Sequence, residues 1–295
     1  MVDYVWEKVQ WFGINFEKCG ASLAIFTICF YVVTSCFIWQ SLERRFNNIE
    51  ANILSKKQSY ILTFCFTIIL FGSIDLRLFL PSTTLKYHDF YEILKSLITG
   101  YIFLSMYLIL ALTPGRQKLQ DWSRYRRFES HKKWLDKKLI KDLIFNDKSP
   151  STVAIFINTM IYLVFYSGFI LACNVTNTAK LYGLTSQAIA TSLIILYVAI
   201  FQLSLFSKSQ HRILWGIGNL GAVILIPIIF IGMFYNLIYV NSESGLFAIT
   251  APFTVLDNYK FIPNQSYLVL FAFYWTMIIG LSFILFKGLK KAGET

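Results

Sequence analysis

Three histidines, five cysteines and one adjacent His-Asp pair are the residues of this 295-residue chain best suited to binding a metal, attacking a carbonyl or moving a proton. Their spacing assigns them none of these tasks. His88, His131 and His211 fall in three separate polar stretches, and His88-Asp89 is an adjacency with no third group to orient the imidazole. Cys19, Cys29, Cys36, Cys65 and Cys173 include no CxxC pair, so neither a thiolate zinc site nor a redox couple is indicated. They are expected to pack as small hydrophobes. The chain has no GxxxxGK[ST] to cradle nucleotide phosphates and no HExxH to hold a catalytic zinc. The expectation is therefore a protein that is no enzyme, with no catalytic residue, no cofactor and no metal. Asn174-Val-Thr and Asn264-Gln-Ser match the glycosylation acceptor pattern, which recurs by chance and has no meaning in a bacterial chain.

The elements that carry these residues are unusually apolar. Hydrophobic residues make up 56% of the chain and charged ones 15%, against about 25% charged in a soluble domain. Charge-free runs cover 19–42, 58–74, 96–115, 149–179, 181–207, 213–242 and 261–286. A helix of about 20 apolar residues crosses the hydrocarbon core, and a soluble core does not contain seven such runs. The expected fold class is all-α: a polytopic transmembrane helix bundle of about seven spans, near 20–41, 59–80, 96–114, 152–173, 184–206, 213–236 and 265–286. The transmembrane domain takes in 19–295. Segment 1–18, with Trp6, Trp11 and Phe12 among charges, is an interfacial stretch before it.

The formal charge of +11 has a topological explanation rather than a nucleic-acid one. With alternating spans, 20 of the 27 Lys and Arg fall on one side, whereas the 16 acidic residues divide equally. Lys and Arg mark the cytoplasmic side, so the N-terminus is expected outside and the C-terminus in the cytoplasm. Trp39 and Trp215 then lie near inner ends, and Tyr182, Tyr239 and Tyr267 near outer ends. The remaining charge is available to anionic lipid. Asp75 and Arg77 sit at the outer end of the second span, and the polar residues within spans are neutral: Asn158, Gln187, Gln202 and Asn219. An ion-coupled pump keeps ionisable groups at mid-membrane, and none is placed there.

The largest polar element is the basic segment 116–148. In its second half, Leu135, Leu139 and Leu143 recur at helical spacing with Ile140 and Ile144, opposite Lys137, Lys138, Lys141 and Asp142. This predicts an amphipathic helix, ended by Asn146-Asp147 and Ser149-Pro150. It would lie on the inner leaflet or dock a cytoplasmic partner. Segment 244–256 is apolar but too short to span; re-entry into the membrane and an apolar surface loop are both open to it. Gly216, Gly218 and Gly221 in the sixth span, with Asn219 among them, suit close helix packing.

Three stretches, WQSLERRFNNIEANILSKKQSYILTFCF (39–66), LALTPGRQKLQDWSRYRR (110–127) and LIKDLIFNDKSPSTVAIFIN (139–158), resemble in order and character a bacterial group of ABC-2-type transporter permeases. The chain is similar to the C-terminal portion of those longer proteins. The resemblance implies a permease subunit of an ABC exporter in the bacterial plasma membrane, with ATP hydrolysed by a separate cytoplasmic ABC ATPase subunit docked on a short amphipathic element. Trp134, Leu135, Leu139 and Leu143 are the candidate docking contacts. Membrane lipid, the ATPase and a second subunit, giving a homo- or heterodimer, are the implied partners; nucleic acid is not. The alternative is a non-transporting membrane scaffold or assembly protein that docks its partner through 116–148.

Overall fold

The computed structural model describes residues 10–11, 14–15, 20–47, 51–72, 74, 87–129, 137–205, 212–238 and 264–294. Among them are nine helices: α1 (Gly20–Asn47), α2 (Lys56–Gly72), α3 (Tyr87–Leu112), α4 (Arg116–Glu129), α5 (Lys137–Phe145), α6 (Thr152–Ala172), α7 (Asn177–Leu205), α8 (Arg212–Ile238) and α9 (Asn264–Glu294). Two short strands, β1 (Gln10–Trp11) and β2 (Ile14–Asn15), pair antiparallel ahead of them, with Gln10 opposite Asn15.

Local chemistry sets the helix ends. Ser55 and Gln58 form a reciprocal capping box: Gln58 N donates to Ser55 Oγ (3.2 Å) and Ser55 N donates to Gln58 Oε1 (2.9 Å). Thr113-Pro114-Gly115 stops α3, because proline cannot continue its hydrogen bonding. Asn146 closes α5 through its backbone N–H to Asp142 O, and its side chain accepts from Lys148 N. Thr176 Oγ1 accepts from Ala179 N at the start of α7.

Four helical segments are long and apolar enough to cross a membrane among the described residues: Phe90–Leu112, Thr152–Ala172, Asn177–Leu205 and Leu268–Lys291. The central one is α7, which packs against α3, α6, α8 and α9. At about 1.5 Å per residue its 29 residues reach about 43 Å, enough to cross a hydrocarbon core of about 30 Å with tilt. The α9 helix is peripheral and leaves Leu268, Val269, Phe273, Ile279 and Phe283 exposed. So many outward apolar side chains suit lipid as the surrounding solvent and not water.

The core is reversed in α2. Its buried residues are Lys56, Ser59, Thr63, Thr67 and Gly72, while Ile61 and Phe64 face outward. Small hydroxyl side chains let α2 lie close against α6. Larger side chains fill the neighbouring space: Tyr162 of α6 stacks on Tyr101 of α3, ring centroids 3.9 Å apart and planes nearly parallel, and Tyr101 donates to Thr159 Oγ1 (2.7 Å).

The helices extend beyond the expected spans in places, with α3 beginning at Tyr87 and α7 at Asn177. The basic segment holds a second helix that periodicity did not predict. In α4, Leu119, Trp122, Ser123 and Arg126 are buried, a stripe too narrow and too polar to stand out among the surrounding charges. Leu119 and Trp122 pack on Leu285 and Leu289 of α9, and Ser123 Oγ donates to Leu289 O (2.6 Å). Segments 1–9 and 244–256, with Asp75, Arg77, His131 and His211, lie outside the described residues, as do the backbone of Phe12 and Gly13.

Tyr162 is fully buried, yet its hydroxyl has no hydrogen-bond partner among the described residues. Tyr162→Ala should cost about 3–5 kcal/mol through the cavity it leaves. Tyr162→Phe keeps the stack and removes an unsatisfied group, so it should be neutral or stabilising by up to about 1 kcal/mol. Thermal unfolding in mild detergent checks the pair; equal losses in both would show that the hydroxyl is bonded.

Candidate functional site

The densest polar cluster lies at the basic end of the bundle, where α2 begins. Lys56 is the first residue of α2, ahead of the apolar run 58–74, and is 1% exposed. A lysine at a helix N-terminus opposes the helix dipole and is unfavourable unless its charge is carried elsewhere. Here it is carried to another helix. Nζ donates to Leu143 O (2.7 Å), Ser149 Oγ (2.5 Å) and Pro150 O (3.0 Å), so all three ammonium hydrogens have acceptors. Leu143 is in the last turn of α5, whose carbonyls have no intrahelical partner. Tyr60 of α2 donates to the neighbouring Ile144 O (2.7 Å).

The opposite cap is made by Asp147. Its Oδ1 accepts the backbone N–H of Lys56 (3.0 Å), and its Oδ2 accepts from Arg44 of α1 (2.5 Å). A carboxylate thus sits on the N-terminus of α2 and an ammonium on the C-terminus of α5, each at the helix end whose partial charge attracts it. Asn52 adds two donations from Nδ2, to Asp147 O (3.0 Å) and to Leu112 O at the end of α3 (3.1 Å). Ser149 Oγ faces Asp142 O and Asn146 O, both at 2.8 Å. The next layer is Ser151, whose Oγ accepts from Gln202 of α7 (2.6 Å) and lies 3.2 Å from Thr113 Oγ1. Arg126 of α4 approaches Asp142 at 3.8 Å. One polar cluster therefore touches α1 to α7.

Burial lowers the Lys56 amine from its ordinary 10.5 to about 8, against the pull of Asp147 and Asp142. With its hydrogens committed to three acceptors, this amine is a structural tie rather than an available nucleophile. Among the described residues, no three His, Cys, Asp or Glu side chains come together as a metal ion would require.

The three stretches singled out in the sequence meet at this site. Residues 39–66 bring Arg44, Asn52, Lys56 and Tyr60; 110–127 bring Leu112, Thr113 and Arg126; 139–158 bring Asp142, Leu143, Asp147, Ser149 and Ser151. Of the candidate docking residues, Leu139 and Leu143 are half-buried against Leu119, Trp122, Leu285 and Leu289, whereas Trp134 and Leu135 lie outside the described residues. The exposed apolar residues of α5 are Ile140 and Phe145, and the Lys57 ammonium lies over the Phe145 ring at 5.5 Å. His88 and Asp89 fall in the first turn of α3.

Sequence reasoning named Asn158 and Gln202 as polar span residues but missed Lys56, Asp147 and Ser149. Asn158 donates to Ser59 Oγ (3.0 Å), Gln202 to Ser151, and Asn219 to Ser204 Oγ (2.9 Å). The available signal for Lys56 was a lysine directly after a helix-capping serine, where the dipole disfavours it.

Between about pH 8 and 10.5 the unfolded chain holds the Lys56 proton more tightly than the folded chain. Stability from this group should therefore rise through that window and fall as pH drops through 8. Lys56→Met should remove that component. Unfolding of both proteins at pH 7.5, 8.5 and 9.5 measures it; parallel pH profiles would contradict the assignment.

No known protein family, curated protein or solved structure matches this chain.

Proposed function

We propose that this chain is the membrane-spanning permease subunit of an ATP-driven exporter, with seven spans, an outside N-terminus and its basic end in the cytoplasm of a bacterial plasma membrane. On this reading α1, α2 and α8 join as spans the four helices already described as long and apolar enough to cross a membrane. The charge-free runs 19–42, 58–74 and 213–242 support those additions, and the one-sided distribution of Lys and Arg supports the orientation.

The observation that carries the proposal is the Lys56–Asp147 lock. A short amphipathic helix at the basic end is fastened through its last carbonyls to the start of α2 and through Ser149 and Pro150 to the start of α6. A force on α5 would therefore move two helices of the bundle. A nucleotide-dependent partner seated on α5 would bias two packings of those helices, provided it binds them unequally. Its contacts would be the outward residues Ile140, Lys141 and Phe145, with Leu139 and Leu143 holding the helix from behind. ATP hydrolysis belongs to that partner, and this chain is no enzyme.

The scaffold reading uses the same surface without transport, and it is favoured by the extent to which the lock immobilises α5. Ile140→Asp with Phe145→Asp should abolish co-purification of ATPase activity from native membranes in mild detergent and leave thermal stability within about 0.5 kcal/mol, since both side chains are exposed. Wild-type preparations that carry no ATPase activity would sink the exporter; loss of a partner without ATPase activity would favour the scaffold. Orientation has its own check. In a cysteine-free background, Lys141→Cys should react with a membrane-impermeant maleimide only after the cells are opened. Labelling in intact cells would reverse the topology.

A further inference from the structure

The α1 helix is tied to the bundle at its basic end and stands apart from it further along. The ties include Arg44 to Asp147, Gln58 Nε2 donating to Gln40 Oε1 at 3.0 Å, and a hydrogen bond between the Ser41 and Tyr107 side chains. Beyond them a cavity of about 320 Å³ opens between α1, α2 and α3, lined by Val33, Ile38, Leu62, Phe66, Leu104 and Tyr107 among others. Its walls are almost wholly apolar, and they run along α1 from Phe30 to Ile38. At about 1.5 Å per residue that is about 12 Å, close to the depth of one leaflet in a hydrocarbon core of about 30 Å.

The same face of α1 changes character towards the basic end. Phe30, Val33 and Phe37 are followed at helical spacing by Ser41 and then by Arg44 and Arg45. Arg45 is exposed. Arg44 gives Nη2 to Asp147, but its Nε is buried with no hydrogen-bond partner among the described residues. The apolar slot and two guanidinium groups, one of them incompletely satisfied, thus follow one another along one face of α1.

We infer that the groove between α1, α2 and α3 binds one anionic phospholipid, with an acyl chain along Val33, Ile38, Phe66 and Leu104 and the phosphate at Arg44 and Arg45. A neutral lipid or a detergent tail fits the apolar part equally well but leaves the guanidinium groups without an anion. Selectivity therefore belongs to the arginines and occupancy to the slot. The inference needs no ATPase, no substrate and no particular orientation, since the basic end is identified by the residues themselves.

Native mass spectrometry of the full chain in mild detergent tests this, with phosphatidylglycerol and phosphatidylcholine of identical acyl chains as competing probes. The wild-type protein should retain one tightly held phosphatidylglycerol. A basic side chain at an anionic lipid surface contributes about fivefold in affinity, so two should prefer that lipid by ten- to thirtyfold. Arg45→Ala should reduce the preference about fivefold while binding of phosphatidylcholine stays unchanged. Val33→Trp, which fills the slot, should remove retention of both lipids with the protein still monodisperse. Lys290→Ala on exposed α9 controls for net charge and should alter nothing. Equal retention of both lipids by the wild type would overturn the proposal, as would unchanged lipid adducts in Val33→Trp. If Val33→Trp instead splits a dimer and leaves lipid retention intact, the groove seats a second copy and the proposal fails. Should Val33→Trp not fold, the Arg45→Ala comparison decides alone.

Discussion

Two helix ends solve each other's problem at the basic end of this protein. The last carbonyls of α5 have no partners within their own helix, and neither does the first N–H of α2. Lys56 supplies cations and donors to the former, and Asp147 supplies an anion and an acceptor to the latter. Because Lys56 belongs to α2 and Asp147 follows α5, each element caps the other. Removing Asp147 would take the acceptor from the first N–H of α2 and the ion-pair partner from Arg44 together. The position of α5, the start of α6 and the attachment of α1 through Arg44 all follow from this exchange.

Further into the bundle the logic changes from charge to fit. With lipid outside and protein inside equally apolar, helices gain little by burying leucine, and close approach and polar pairing matter more. The buried face of α2 shows this, with Ser59, Thr63 and Thr67 inward and Ile61 and Phe64 outward. Tyr101 and Tyr162 occupy the larger gaps left beside those small residues, stacked face to face. α7 sits where four other helices converge, and it is the most completely enclosed.

The helical class and the four clearest spans were legible because a long uncharged run has few other physical explanations. The amphipathic segment was legible from its leucine spacing, and the described helix Lys137–Phe145 falls within it. The polar cluster was not legible. Lys56 looked like one more basic residue in a positive-inside loop, and Asn146-Asp147 and Ser149-Pro150 looked like punctuation. Their roles depend on contacts spanning 87 to 94 positions in sequence, which local spacing does not encode. The direction in which Leu139 and Leu143 point was hidden for the same reason. Periodicity identifies an apolar stripe but not which surface covers it, and here Trp122 and Leu285 do.

Three amide side chains of the apolar helices share a directional property. Asn158 donates to Ser59, Gln202 to Ser151 and Asn219 to Ser204, and in each pair the hydroxyl precedes the amide along the chain. Synthesis proceeds from the N-terminus. When each of these amides leaves the ribosome, its acceptor has already been made. A polar group stranded in hydrocarbon is costly, and this ordering shortens the time that any of the three must wait for a partner. The arrangement favours stepwise assembly, with each new helix received by those already in place.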